Sequence, residues 1–254
     1  MLSRLKTLGI SLALLITMLV PAMGQTTQFN PEQRKEMGEI VRQYLMTNPE
    51  VLRDAFRELE RKDAIAKAAG EKAAVQSMAS DIFRFKGDHV VGNPDGDVTV
   101  VEFMDYNCPY CKRALVDVEK LIENDKNVRV VMKEFPILGE SSTFASRAAI
   151  ASRAQGKYWE FHLALMRKRG SATEASVLKA AKQVGLDVAK LRKDMDAPEV
   201  SEIIQRNYAI AQALNINGTP AFVIAENILA GAVGYDALTS AVTKVRENGG
   251  CSFC

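Results

Sequence analysis

The run VTVVEFMDY, Val98 to Tyr106, is apolar and β-branched over most of its length, and it ends two residues before a pair of cysteines, Cys108 and Cys111. Such a run reads as a buried strand. Immediately after it the periodicity becomes helical, through Leu115, Val118, Leu121 and Ile122, and a second apolar run, VRVVMKEF (Val128 to Phe135), follows. Residues 98–135 are therefore expected to form a β-α-β unit whose first strand delivers a C-x-x-C motif to the start of a helix.

That position has chemical consequences. With Cys108 as N-cap, Pro109 falls at the first helical position, where its missing N–H costs nothing. The Cys108 sulfur then faces the free N–H groups of Tyr110 and Cys111 and the positive end of the helix dipole, all of which favour thiolate over thiol. Its pKa should lie below the ordinary value of about 8.5, which makes it both nucleophile and leaving group. Cys111, one turn further in, should be more buried and stay protonated until it resolves a mixed disulfide. The expectation is a redox-active pair. The competing readings are an inert structural disulfide, for which a strand-to-helix junction is an odd place, and a zinc site shared with Cys251 and Cys254, which the long spacer between the pairs disfavours.

Two further residues belong to this chemistry. Glu102 sits among Val100, Val101, Phe103 and Met104, where its carboxyl should be desolvated and hold its proton to higher pH, able to accept and return the proton of Cys111. The alternatives are an exposed sheet face or a pair with Lys133. In NGTPAF (Asn217 to Phe222), Thr219-Pro220 precedes an expected strand. An ordinary trans turn is one reading; a cis bond beside the cysteines would leave the Thr219 backbone open to pair with an extended substrate segment. Pro109, Tyr110 and Thr219 are the expected substrate contacts.

The chain begins MLSRLKTLGISLALLITMLVPAMG, with two positive charges, an apolar run too short to span a bilayer, and a small-x-small site. This reads as a secretory signal peptide, residues 1–24, cleaved after Gly24; an uncleaved anchor is the alternative. Cleavage removes two of the 33 basic residues and none of the 31 acidic ones, so the formal net charge falls to zero and gives no footprint for nucleic acid. All four cysteines lie beyond the leader, and an oxidising compartment favours disulfide chemistry.

Residues 25–84 read as a helical segment and linker. Asn30-Pro31 opens a first helix with an apolar stripe at Met37, Ile40, Val41, Tyr44 and Leu45. Asn48-Pro49 breaks it, and a second stripe follows at Val51, Leu52, Ala55, Phe56 and Leu59. Two short helices bury too little alone, so the stripes must pack on the main domain or on copies of themselves, self-association being favoured. The Ala-rich stretch 64–79 reads as a solvated helical linker. The main domain spans 85–248, with helical pattern over about 141–215, a hairpin over Thr219 to Gly234 and a last amphipathic helix. His89 and His162 read as structural, and Tyr158, Trp159, Phe161 and Leu165 as core. The tail 249–254, with Cys251 and Cys254 after two glycines, is expected to be mobile and exposed.

The segments VVEFMDYNCPYCK, KEFPILG, QGKYWEFHLALM and INGTPAF, in this order and separation, resemble the DsbA-like branch of the thioredoxin superfamily, over roughly Gly92 to Asn248. The resemblance implies an α/β thioredoxin fold with an inserted helical domain, with Cys108 as nucleophile, Cys111 as resolving cysteine, Glu102 as buried acid and Pro220 as cis-proline. The stretch FNPEQRKEMGEIVRQYLMTNPEVLRDAFRELE further resembles the N-terminal segment of ScsC-type proteins, some of which trimerise through it and act as disulfide isomerases. Pro-Tyr replaces the Pro-His of the strongest oxidases, which suits a less oxidising protein, and the terminal C-x-x-C has no counterpart in the family core.

The expectation is a periplasmic thiol-disulfide oxidoreductase, oxidase or isomerase, without cofactor. Its partners would be unfolded or misoxidised secreted proteins, a membrane redox partner and copies of itself. The alternative is a structural or copper-binding envelope protein that uses Cys251 and Cys254.

Overall fold

The structure, a computed structural model, describes residues 29–254; the expected signal peptide lies outside the described residues. The chain divides into two compact units between Glu60 and Arg61.

In the first unit, α1 (Pro31–Thr47) starts where the sequence places it. The Asn30 side chain accepts from the Gln33 N–H at 2.8 Å and the Gln33 side chain accepts from the Asn30 N–H at 3.0 Å, a reciprocal cap with proline in the first turn. The helix stops at Asn48, before Pro49, and α2 (Glu50–Ser77) begins. No residue of α1 is buried. Ile40, Val41, Tyr44, Leu52, Phe56 and Leu59 all face solvent.

The second unit is built on a five-stranded sheet of order β1-β3-β2-β4-β5, with β1 His89–Gly92, β2 Val98–Met104, β3 Val128–Glu134, β4 Ala221–Ile224 and β5 Asn227–Ala230. β2 and β3 run parallel, joined by the crossover helix α4 (Pro109–Asn124); the other pairings are antiparallel. Every residue of β2 and β3 is buried, which is why both read as continuous apolar runs. Between β3 and β4 lie the inserted helices α5 (Glu140–Ser152), α6 (Tyr158–Met166), α7 (Glu174–Gln183), α8 (Val188–Met195) and α9 (Pro198–Ala213); α10 (Tyr235–Glu247) follows the β4–β5 hairpin. Among the described residues no helix is long and apolar enough to cross a membrane.

Three features differ from the expectations. β1 is not among the expected strands: four residues, two half-buried, one buried and one exposed, carry too little pattern. The end of the Ala-rich stretch is core rather than solvated linker, because Val75 and Ala79, with Ile82 and Phe83 of α3 (Ala79–Phe83), are buried in the second unit. Cys251 and Cys254 close a disulfide, and the tail is docked rather than exposed. Cys254 is buried, the Phe253 ring centroid lies 6.2 Å from that of Phe83, and the Arg84 guanidinium donates to the Cys254 carbonyl. Phe253 supplies an apolar anchor that the flanking glycines conceal in the sequence.

Candidate active site

The pleat of β2 sorts the site. Glu102 and Met104 share a face with Met132 and Glu134, in the register Glu102–Met132 and Met104–Glu134, while Phe103 and Lys133 share the other. Lys133 is fully buried on that other face, paired with Asp88 and donating to the Asp81 carbonyl at 2.6 Å. The alternative pairing of Glu102 with Lys133 is therefore not formed. Glu102 is 3% exposed. Burial, then the nearby Cys108 and Glu134 charges, push its carboxyl up to about 8.

Past the end of β2, Cys108 has extended backbone (φ −77°, ψ 117°) and Pro109 takes the first helical position of α4. Both cysteines are free thiols, and Cys111 is wholly buried. They are polarised in opposite directions. The Cys111 thiol, against the opposing effect of burial, draws the Cys108 thiol down to about 5, helped by the Thr219 side chain and the N–H groups of Cys111 and Tyr110. The backbone contribution expected of the helix start is thus present but secondary to the neighbouring thiol. Burial first, then the bond to Cys108 and the Glu102 charge, push the Cys111 thiol far above its ordinary range.

The Thr219–Pro220 peptide is cis, and Cys108 Sγ donates to the Thr219 carbonyl at 3.1 Å. Residues 219–220 reach the cysteines because β4, which follows at once, pairs with β2 in the register Phe103–Ala221. A groove of about 400 Å³ runs along this loop, lined by Tyr110, Gly218, Thr219, Pro220 and Ala221, with Ile228 and Ala230 of β5. Cys108, Cys111, Tyr110, Thr219 and Pro220 thus come together, with Glu102 beneath the cysteines. Pro109 adjoins Cys108 but does not line the groove.

The residues that fix the loop carrying Cys108 were missed by sequence reasoning. Asp105, fully buried, accepts from the Asn107 N–H (2.7 Å), the Leu138 N–H (3.0 Å) and the Ser142 hydroxyl (2.7 Å). Asn107 donates to the Ser141 and Ser142 hydroxyls, both at 2.9 Å, and accepts from the Ala172 N–H at 2.6 Å. The residue before Cys108 is therefore tied to the start of α5 and to the loop before α7. The only available signal was a polar pair beside the cysteines, and its partners lie far along the chain.

A cis peptide facing a polarised C-x-x-C at the start of a helix, on a mixed sheet with a helical insertion, defines a thioredoxin-fold site for thiol–disulfide exchange. Residues 99–243 match the DSBA-like thioredoxin domain, and residues 33–66 match the copper resistance protein ScsC N-terminal domain. The chain belongs to the DsbA-like thioredoxin family of thiol-disulfide oxidoreductases. A thioredoxin-like oxidoreductase from Silicibacter pomeroyi DSS-3 is 51% identical, covering 66% of this chain and 97% of that one, with a TM-score of 0.66. Proteus mirabilis ScsC in a transitional conformation is 34% identical, covering 85% of this chain and 98% of that one, with a TM-score of 0.64. A probable disulfide bond formation protein D of Bacillus anthracis is 26% identical over 183 residues, 66% of this chain and 83% of the relative. The chain also matches Na(+)/H(+) antiporters NhaA, spanning about a quarter of their length.

Proposed function

We propose that this chain exchanges disulfides with secreted protein substrates through Cys108 and Cys111, outside the cytoplasm, as a self-associating isomerase. The observation that carries the reading is the opposite polarisation of two adjacent thiols, Cys108 down to about 5 and Cys111 far up. In the reduced protein, the Cys108 thiolate attacks a substrate disulfide and one substrate sulfur leaves as thiolate. The mixed disulfide is then resolved by another substrate thiolate, which regenerates Cys108, or by Cys111, which closes the Cys108–Cys111 disulfide. Glu102 takes the Cys111 proton as that sulfur attacks, and returns it when Cys111 leaves in the reverse direction. Thr219 and Tyr110 flank an extended substrate segment in the groove, with Pro109 meeting the substrate beside Cys108, outside the groove, and Pro220 fixing the Thr219 backbone toward the nucleophile.

The leader-like first 24 residues and the closed Cys251–Cys254 disulfide support an oxidising, periplasmic setting, with a membrane protein as redox partner. Self-association is supported by the exposed apolar stripe of α1 and the start of α2, together with the ScsC-type match over residues 33–66. The competing copper reading needs free thiolates at Cys251 and Cys254, whereas the two sulfurs are bonded to each other.

The deciding experiment is reactivation of a scrambled-disulfide enzyme by the reduced protein, with Cys108→Ser as control. Reactivation that is lost in the control supports the isomerase. Without reactivation the isomerase reading falls, leaving oxidation or reduction, and failure of Cys108 to label after mild reduction overturns thiol exchange altogether.

A further inference from the structure

Glu134, at the end of β3, is almost wholly buried and plays no part in the exchange steps above. Its Oε1 accepts from the Tyr106 hydroxyl at 2.9 Å and from the Tyr158 hydroxyl at 2.6 Å. The Tyr106 oxygen lies 3.1 Å from His162 Nδ1, and since the tyrosine's own hydrogen goes to Glu134, the imidazole nitrogen donates. The Ser146 hydroxyl of α5 also favours the ionised carboxylate, but less than burial opposes it, so the group holds its proton above the usual carboxylate range.

Its position links it to the cysteines. Glu134 and Glu102 project from the same sheet face, one register step apart on adjacent strands, a diagonal spacing of roughly 7 Å in a ladder. Both carboxyls are buried, so each carboxylate opposes ionisation of the other. The groups facing the pair are Asp105 and Tyr106 from the loop after β2, Cys108 and Cys111 from α4, Ser146 from α5, and Tyr158 and His162 from α6. His89 of β1 stacks on Tyr158 at 4.1 Å, with Asp88 beyond it. The charges that act directly on the two glutamates, those of Asp105 and of the Cys108 thiolate, are negative.

We propose that Glu134 is a second buried acid that acts through Glu102: its charge, set by the Tyr158, Ser146 and Tyr106 hydroxyls around it, decides when Glu102 is ionised and able to take the Cys111 proton. It is a positioning residue, and the inference rests on the proton-transfer role proposed for Glu102. Burial pushes Glu134 up to about 7, opposed first by the Tyr158 hydroxyl. When Glu134 is ionised, its carboxylate delays the ionisation of Glu102. In the step affected, Cys111 gives its proton to Glu102 and its sulfur bonds to Cys108 Sγ. The bond from Cys108 to the substrate sulfur breaks, and the substrate leaves as a thiolate that takes a proton from solvent. Glu134 exchanges no atom.

The test follows closure of the Cys108–glutathione mixed disulfide against pH by stopped flow, in the wild-type protein, Glu102→Gln, Glu134→Gln and the double variant. Closure should speed up as pH rises through the Glu102 ionisation. Glu134→Gln should move that inflection to lower pH by about half a unit or more, and should leave the profile of Glu102→Gln unchanged. Tyr158→Phe, which removes a donor favouring the Glu134 carboxylate, should move it the same way and serves if Glu134→Gln does not fold. An unmoved inflection, or an equal displacement in the Glu102→Gln background, overturns the inference and leaves Glu102 standing. A wild-type profile in Glu102→Gln alone overturns the Glu102 role and this inference with it.

Discussion

The Thr219 carbonyl oxygen stands 3.1 Å from Cys108 Sγ, across 111 residues of chain. That side of the Cys108 sulfur is therefore bordered by backbone from the loop before β4, and its other neighbours are the Cys111 thiol and the start of α4.

Alkylation of reduced Cys108 should titrate with a midpoint near 5, the value to which its thiol is drawn down. Cys111→Ala removes the largest cause and should move the midpoint upward, while letting mixed disulfides accumulate. The measurement is the pH dependence of the iodoacetamide reaction rate. Because the folded pKa lies below the unfolded one, the thiolate contribution favours the reduced protein at alkaline pH and is lost as pH falls through about 5.

Glu102 acts on stability with the opposite sign. Burial pushes its folded pKa up to about 8, from an ordinary value of 4.5. The unfolded chain therefore ionises first, and the native state loses stability as pH climbs from one value toward the other. Glu102→Gln should be more stable than wild type at mildly alkaline pH, by a margin on the order of a few kcal/mol, and indistinguishable at acid pH. It should also close the mixed disulfide at least about 100-fold more slowly. Urea unfolding at several pH values checks the first expectation and stopped flow the second.

Asp105→Ala strands the N–H groups of Asn107 and Leu138 and the Ser142 hydroxyl. The expected loss is about 3 kcal/mol of stability. The alkylation midpoint of Cys108 should also rise toward that of an ordinary thiol, because the loop holding the sulfur in place is released. Unfolding and alkylation of the same sample separate the two effects.

Deleting residues 29–59 should lower the mass in solution to that of one chain, while the alkylation midpoint stays unchanged. Light scattering on the intact and shortened proteins is the measurement. An intact protein that is already a single chain refutes the assembly.

The sequence made the reactive strand, the helix after it and the Thr219–Pro220 turn readable because each is written in local chemistry: a continuous apolar run, proline at a helix start, proline before a strand. Glu102 could be read because a lone acid in such a run has few places to go. Asp105 and Asn107 could not, since nothing near them marks Ser142, Leu138 or Ala172 as partners. The docking of Phe253 on Phe83 and the burial of Val75 were hidden for a related reason: one or two apolar residues in a polar setting decide both.

The pairing of β2 with β4, Phe103 opposite Ala221, has a consequence for how the protein comes into being. A growing chain exposes Cys108 and Cys111 long before Thr219 exists to stand beside them. Until α4 is formed and the Thr219 loop is in place, these are ordinary thiols with pKa values near 8.5, mostly protonated at neutral pH and slow to attack. Chemical appetite therefore arrives with completion of the fold. An unfinished catalyst is a poor one, and is spared from trapping itself in disulfides with its neighbours.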